Sequence, residues 1–260
     1  MATLSLYWHI SALTALPSDL CEHDRLWNFQ SALQPVRWKL EDPVLFSSPS
    51  ARSSEPFLWC LDCRDPLPLD TREALLATLS PTEQQRCSAY RLQNDRELCF
   101  RTRAALRLLL AAWLGRPASA VILEIGIHGK PFCPGGPEFN VSHSGDLIML
   151  ALHPRYRVGV DVEQIHDGLR WKPIAERVLT KSQQETLERL PAESQSTAFL
   201  VAWCALEAEL KAVGSGFSGV KQYQNSWLDP RQETRLRWEL IMPMGYTGVT
   251  VTLPEPSSCQ

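Results

Sequence analysis

Apolar and polar positions alternate along most of the chain past Pro56 with periods of either two or about 3.6, dividing it into short strands and amphipathic helices. FLWCLDC at 57–63 alternates apolar residues with smaller or polar ones and predicts a strand. The next segment predicts a helix opening at Asp70 or Thr71 as N-cap and ending near LSP at 79–81. SPTEQQRCSAY predicts another, with Ser80 as cap, Pro81 in the first turn and Glu83 as the capping-box partner. The longest helix is NDRELCFRTRAALRLLLAAWLG at 94–115. There Leu98, Arg101, Ala105, Leu108, Leu109 and Ala112 keep helical spacing, and Gly115 closes the run before Pro117. VILEIG, FCPGGPEFNVSHS, LIMLALH and VGVDVEQ predict short strands separated by Gly/Pro turns, with hairpin-like spacing between 147–152 and 158–163. Helices at 172–190 and 196–213 and a strand pair near 236–253 complete the chain. Strands and helices alternate irregularly, which predicts an α+β fold rather than a doubly wound parallel sheet.

Residues 1–55 break this regularity. They are rich in Trp and Pro and run into SSPSARSSEP at 47–56, which reads as a flexible linker. This leader, of unknown role, is expected to be either a small appendage or the product of a start codon assigned too far upstream. MATLSLYWHISALTALP lacks a basic start and is cut by His9 and Pro17, so it makes a poor signal peptide. No apolar run approaches the roughly 20 residues of a membrane helix. A cytoplasmic protein is expected. With 260 residues and 44% hydrophobic positions the chain can bury one large core or two small ones. Its net charge of -3 gives no field for nucleic acid or an anionic membrane, so an anionic ligand has to be held by a local cluster. Cys60 and Cys63 form a C-x-x-C without a second pair at zinc spacing, and Cys21, Cys87, Cys99, Cys133, Cys204 and Cys259 are scattered. Reduced, mostly structural thiols are expected.

Three polar insertions in apolar segments carry the candidate chemistry. In VGVDVEQ, strand geometry puts Asp161 and Glu163 on one face and Val160 and Val162 on the other. Two carboxylates on one rigid face suit Mg²⁺, and a solvated acidic edge strand has the same pattern. In AWCALEAELKAVGSG at 202–216, Glu207 and Lys211 share a helix face, as an ordinary ion pair also would. Glu209 falls half a turn away and is expected to be solvated. FNVSHS at 139–144 sets hydroxyls, backbone N–H groups and an imidazole at a strand end, where phosphate can be cradled; a structural histidine is the plain alternative. GKP at 129–131 sets Lys130 on a tight turn nearby.

In this order, GKP, FNVSHS, GVDVE and W-x-x-x-E-x-x-x-K resemble the phosphopantetheinyl transferases, in particular their larger, monomeric, surfactin-type group. LSPTEQQRCSAYRLQNDRELCFRTRAALR at 79–107 looks like the N-terminal helical stretch of that family, so the resemblance spans roughly 56–253. It implies two similar α+β halves, 56–157 and 158–260, related by a pseudo-twofold with coenzyme A as co-substrate in the cleft between them. It implies transfer of the phosphopantetheine arm to a serine of an apo acyl or peptidyl carrier protein, with release of 3′,5′-ADP. By the same resemblance Asp161, Glu163 and Glu207 would ligate Mg²⁺, or Mn²⁺ in its place. Glu207 would also be the base, and Lys211 would neutralise the leaving pyrophosphate. Ser142, His143 and Lys130 would hold phosphates, with Arg86, Arg91 and Arg103 for the 3′-phosphate. The sequence departs from the pattern at three places. Leu206 replaces a lysine before the helix glutamate, Gln183 an acidic residue, and Glu83 a residue that is basic in some relatives. A non-catalytic paralogue that binds coenzyme A or a carrier, and a Mg²⁺-dependent hydrolase of the coenzyme A pyrophosphate, are the alternative readings.

Overall fold

The computed structural model describes residues 29–44, 46, 54–126, 129–214 and 235–253. In chain order these form β1 (Val36–Arg37), β2 (Phe57–Asp62), α1 (Leu69–Leu76), α2 (Pro81–Ser88), α3 (Gln93–Leu114), β3 (Glu124–Ile125), β4 (Pro131–Phe132), β5 (Glu138–Ser144), β6 (Leu147–His153) and β7 (Arg157–Gln164). There follow α4 (Lys172–Val178), α5 (Lys181–Arg189), α6 (Ala192–Val213), β8 (Leu236–Glu239) and β9 (Tyr246–Leu253). One sheet has the order β1-β2-β6-β5 and another β7-β9-β8, and every pairing in them is antiparallel except β1 with β2. The α+β expectation holds.

Period-two alternation decides the layering. On β2 and β6, Trp59, Leu61, Ile148, Leu150 and Leu152 pack under Phe100, Leu106, Leu109 and Leu110 of α3. The intervening Leu58, Cys60, Met149 and Ala151 pack the other way, against Val158, Val160 and Val162 of β7. β6 is therefore buried on both faces. Val249, Val251 and Leu253 of β9 bury the far side of the second sheet under α6, whose Ala198, Ala202, Ala205, Ala208 and Ala212 are small enough for close approach. Gly159 is the closest point: a Cβ there would stand 1.8 Å from the Ala208 carbonyl oxygen and 2.7 Å from the Ala212 nitrogen.

Several local expectations change. α1 is preceded by Pro68 with no side-chain cap; Asp70 sits inside the first turn, where its carboxylate accepts from the Thr71 N–H. Ser80, Pro81 and Glu83 do form the capping box. Glu83 also accepts from Arg107 Nε at 2.7 Å, so the third departure from the family pattern is a fold contact. The hairpin partner of β6 is β5 rather than the strand at 158–163, which pairs with β9. The helix expected at 172–190 is two, because Thr180 caps a fresh start. The later part of the leader is built in: Phe29 and Leu33 bridge to Arg237 and Leu240, and Val36–Arg37 adds to β2, so this stretch straps the two sheets together. The linker expected at 47–56 lies mostly outside the described residues. Cys87 and Cys99 are joined as a disulfide, contrary to the expectation of reduced thiols, while Cys60, Cys63, Cys133 and Cys204 are free. Burial pushes the Cys60 and Cys63 thiols up to about 11, as inert structural cysteines require. Cys21 and Cys259 lie outside the described residues. No described helix is long and apolar enough to cross a membrane.

Candidate active site

β5 and β7 are edge strands of different sheets that lie side by side, stitched by side chains instead of a backbone ladder. The polar residues of β5 recur with period two. Asn140 Oδ1 accepts from the Val160 N–H at 3.0 Å, Ser142 Oγ donates to Asp161 Oδ1 at 2.8 Å, and Ser144 Oγ donates to Glu163 Oε2 at 2.9 Å. Asp161 and Glu163 share a face of β7, as the strand period requires, and Gly159 on that same face lets α6 close over them. α6 then supplies three more groups at helical spacing. Lys211 Nζ pairs with Asp161 Oδ1 at 2.6 Å and donates to Ser142 Oγ at 3.0 Å. Trp203 Nε1 donates to Glu163 Oε1 at 3.2 Å. Glu207 lies within the same field without a hydrogen bond among the described residues.

The electrostatics are those of a crowded acidic cluster with one fixed cation. Burial pushes the Glu207 carboxyl pKa up; Lys211 pulls it down, and Asp161 and Glu163 push it further up. Burial likewise raises that of Glu163 against the hydrogen bond from Ser144. Asp161 is 3% exposed, and its Oδ2 is buried without a partner. The alternative of a solvated acidic edge strand is thereby excluded at Asp161.

Among the described residues no set of three or more His, Cys, Asp or Glu side chains stands assembled as a metal cage. The carboxylates nevertheless fit a hard divalent cation: three of them repel one another and Asp161 keeps an orphaned buried oxygen, while Lys211 already neutralises part of that charge.

Against this cluster opens a pocket of about 510 Å³ between α2, α3 and β5. Arg86 and Arg103 supply its cations, His143 an imidazole, and Tyr90, Leu98 and Phe139 apolar wall. Burial and then the nearby charge of Arg86 lower the Arg103 pKa, partly offset by Glu83, and Asp95 also lines the pocket, so two neighbouring guanidinium groups stand there with acidic residues close by. His143 lines the same pocket, and burial and then Lys211 depress its imidazole pKa, linking pocket and carboxylate cluster.

The residues singled out from sequence thus divide. Asp161, Glu163, Glu207, Lys211 and Ser142 come together in the cluster, and Arg86, Arg103 and His143 in the pocket. Ser142 is buried and spent on Asp161 and Lys211, rather than displayed at a strand end. Lys130 turns to the Val158 and Ala212 carbonyls, both at 3.4 Å, and to Glu138 at 3.6 Å. Arg91 is exposed and outside the pocket lining, its carbonyl accepting from Arg96. Glu209, expected in solvent, is fully buried and ion-paired to Arg235 and Arg237, which ties α6 to β8. Leu206 is 2% exposed and packs with Leu210 and Val178. Asn140 and Asp95, which stitch or line the site, were missed, and the Ser144 hydroxyl, read as part of a phosphate cradle, is spent on Glu163; the N-x-S-x-S spacing of β5 carried the signal for Asn140.

Two family models match. One described as the 4′-phosphopantetheinyl transferase superfamily covers residues 157–241, and one described as 4′-phosphopantetheinyl transferase, N-terminal, covers residues 68–155. Similar curated proteins include the 4′-phosphopantetheinyl transferase HetI of Nostoc sp., 29% identical over 73% of this chain and 82% of its own length. A phosphopantetheinyl transferase of Thraustochytrium sp. is 30% identical over 66% of this chain and 65% of its own. The L-aminoadipate-semialdehyde dehydrogenase-phosphopantetheinyl transferase of Homo sapiens is 28% identical over 63% and 58%. The chain thus spans a little under two thirds of the last two relatives.

Proposed function

Because this chain belongs to the 4′-phosphopantetheinyl transferase superfamily, a family of transferases, we propose that it moves the phosphopantetheine arm of coenzyme A onto a serine of an apo carrier protein and releases 3′,5′-ADP. The observation that carries the reading is that His143, which lines a cationic pocket of about 510 Å³, also feels the charges of Lys211 and Asp161 in the buried carboxylate cluster. Coenzyme A is an anionic nucleotide with a long uncharged arm; the cationic pocket matches its nucleotide phosphate, and a divalent cation on the carboxylates would match its pyrophosphate.

Arg86 and Arg103 would take the nucleotide phosphate, relieving their own repulsion, while Tyr90, Leu98 and Phe139 exclude water around the base. His143 would donate to the pyrophosphate. Asp161, Glu163 and Glu207 would hold Mg²⁺ or Mn²⁺, which when bound supplies charge neutralisation at the pyrophosphate. A serine hydroxyl is a weak nucleophile at neutral pH and needs a base. Glu207 would fill that role, because its carboxylate accepts no hydrogen bond among the described residues and is free to take the proton. Lys211 would neutralise the bridging oxygen that gathers charge as the phosphoanhydride bond breaks and 3′,5′-ADP leaves, and its ion pair with Asp161 holds it in place in advance.

The reading includes a monomeric cytoplasmic protein whose halves, 56–157 and 158–260, share the cleft, with no nucleic-acid or membrane partner. It leaves Leu206 a packing residue, and no observation favours the non-catalytic or hydrolytic alternative. The test is product analysis with coenzyme A and Mg²⁺. Release of 3′,5′-ADP only when an apo carrier is present supports transfer. Release without a carrier would replace it with hydrolysis.

A further inference from the structure

The disulfide between Cys87 and Cys99 lies on the wall of the anion pocket. Cys87 is at the C-terminal end of α2 and Cys99 in the second turn of α3, with Cα atoms 5.3 Å apart. Arg86 immediately precedes the first sulfur, and Thr102 and Arg103 lie one turn beyond the second. Cys99 itself lines the cavity, whereas Cys87 is 5% exposed. The other end of α2 has its own fastening, the 2.7 Å pair between Arg107 and Glu83. Opening the bridge would therefore leave the start of α2 in place and release its end, with Arg86 and Tyr90. Arg86 stands close enough to Arg103 to lower its pKa, so the bridge lies beside two neighbouring like charges.

We propose that Cys87 and Cys99 form a thiol–disulfide exchange site for a low-molecular-weight thiol/disulfide couple, and that the state of the pair sets the affinity of the anion pocket. The inference rests on the pocket reading above. In the reducing direction a small thiolate attacks Cys99 Sγ, the sulfur that faces the cavity. The bond to Cys87 breaks, and Cys87 leaves as a thiolate and takes up a proton. A second small thiolate attacks the mixed disulfide and frees Cys99. Two small thiols become one disulfide, and two electrons and two protons pass to the protein. An oxidised small disulfide reverses the sequence. Because an occupant of the pocket covers Cys99, ligand and reductant oppose each other: each binding or exchange event disfavours the other.

The test titrates the full chain with 3′,5′-ADP, a nucleotide carrying no thiol of its own, by calorimetry in oxidised and in reduced glutathione. Native alkylation counted by mass establishes the state of the pair in each buffer. The reduced protein is expected to bind about five- to tenfold more weakly, since two side chains lose their preorganisation. Saturating nucleotide is expected to slow reduction of the pair. The C87S/C99S double variant, which can form neither the bridge nor a mixed disulfide at the pocket, should bind like the reduced wild type in both buffers. Equal affinities in two wild-type samples that differ by two alkylated cysteines would overturn the proposal, as would a redox effect that persists in C87S/C99S or a pair that never oxidises. Should the double variant fail to fold, the wild-type comparison decides alone. If the wild type binds 3′,5′-ADP in neither buffer, the pocket reading itself fails and this inference with it.

Discussion

Replacing Lys211 by Met keeps much of the aliphatic stem and deletes the ammonium that holds Asp161. At 2.6 Å, and with an effective dielectric constant near 20, the gross attraction is about 6 kcal/mol. Desolvation of the buried carboxylate cancels much of that. Breaking a fully buried pair costs about 3–5 kcal/mol, but the Lys211 side chain is 28% exposed and water screens it. We therefore expect a loss of about 2–3 kcal/mol, a fall in Tm of roughly 5–10 °C for a chain of this size. The charge origin is isolated by a double-mutant cycle with Asp161→Asn, in which thermal unfolding at neutral pH should give a coupling of about 2 kcal/mol. Additive effects, with coupling below about 0.5 kcal/mol, would refute the claim that this pair holds the site together. In turnover the same variant should lose about 10²–10³ in kcat, the scale for removing one preorganised group from a transition state.

Glu207→Gln should abolish transfer yet leave the fold as stable at pH 7 as the wild type, or more so by about 1 kcal/mol. The raised carboxyl pKa favours folding below the ordinary carboxylate range, and that advantage is lost as pH rises through the raised value, so the ionised form is a cost at pH 7. Denaturant melts of both proteins at pH 4 and 7 check the sign: the gain must shrink at the lower pH. Trp203→Phe removes the hydrogen bond to Glu163 but keeps an aromatic ring beside Phe199, so a roughly tenfold loss of kcat with an unchanged circular dichroism spectrum is expected. Gly159→Ala drives a methyl into the Ala208 carbonyl and should cost at least about 3 kcal/mol, visible as insoluble or unfolded protein.

Much of this architecture was legible because one face of each element is apolar. The strand period alone put Asp161 and Glu163 together, and the helix period put Glu207 beside Lys211. Sequence reasoning failed where the partner comes from a distant segment. Glu209 looks like a solvent residue until Arg235 and Arg237 of the neighbouring strand region are brought to it. Ser142 looks displayed until β7 arrives at its side. Lys130 reads as a phosphate contact, but its side chain is also long enough to reach the Ala212 carbonyl near the end of α6 and the Val158 carbonyl of β7. The Cys87–Cys99 pairing depends on how α2 packs on α3, and no spacing rule for two lone cysteines could supply that.

The central claim is that the joined pocket and carboxylate cluster transfer phosphopantetheine. Intact mass of apo carrier proteins after incubation with this protein, coenzyme A and Mg²⁺ tests it most directly. The account predicts a single gain of about 340 Da, the mass of the phosphopantetheine arm carried by the coenzyme. That gain should vanish when the acceptor serine is replaced by alanine, and with the Glu207→Gln variant. An unmodified mass on every carrier, while coenzyme A still binds, or a full adduct from Glu207→Gln, would contradict it.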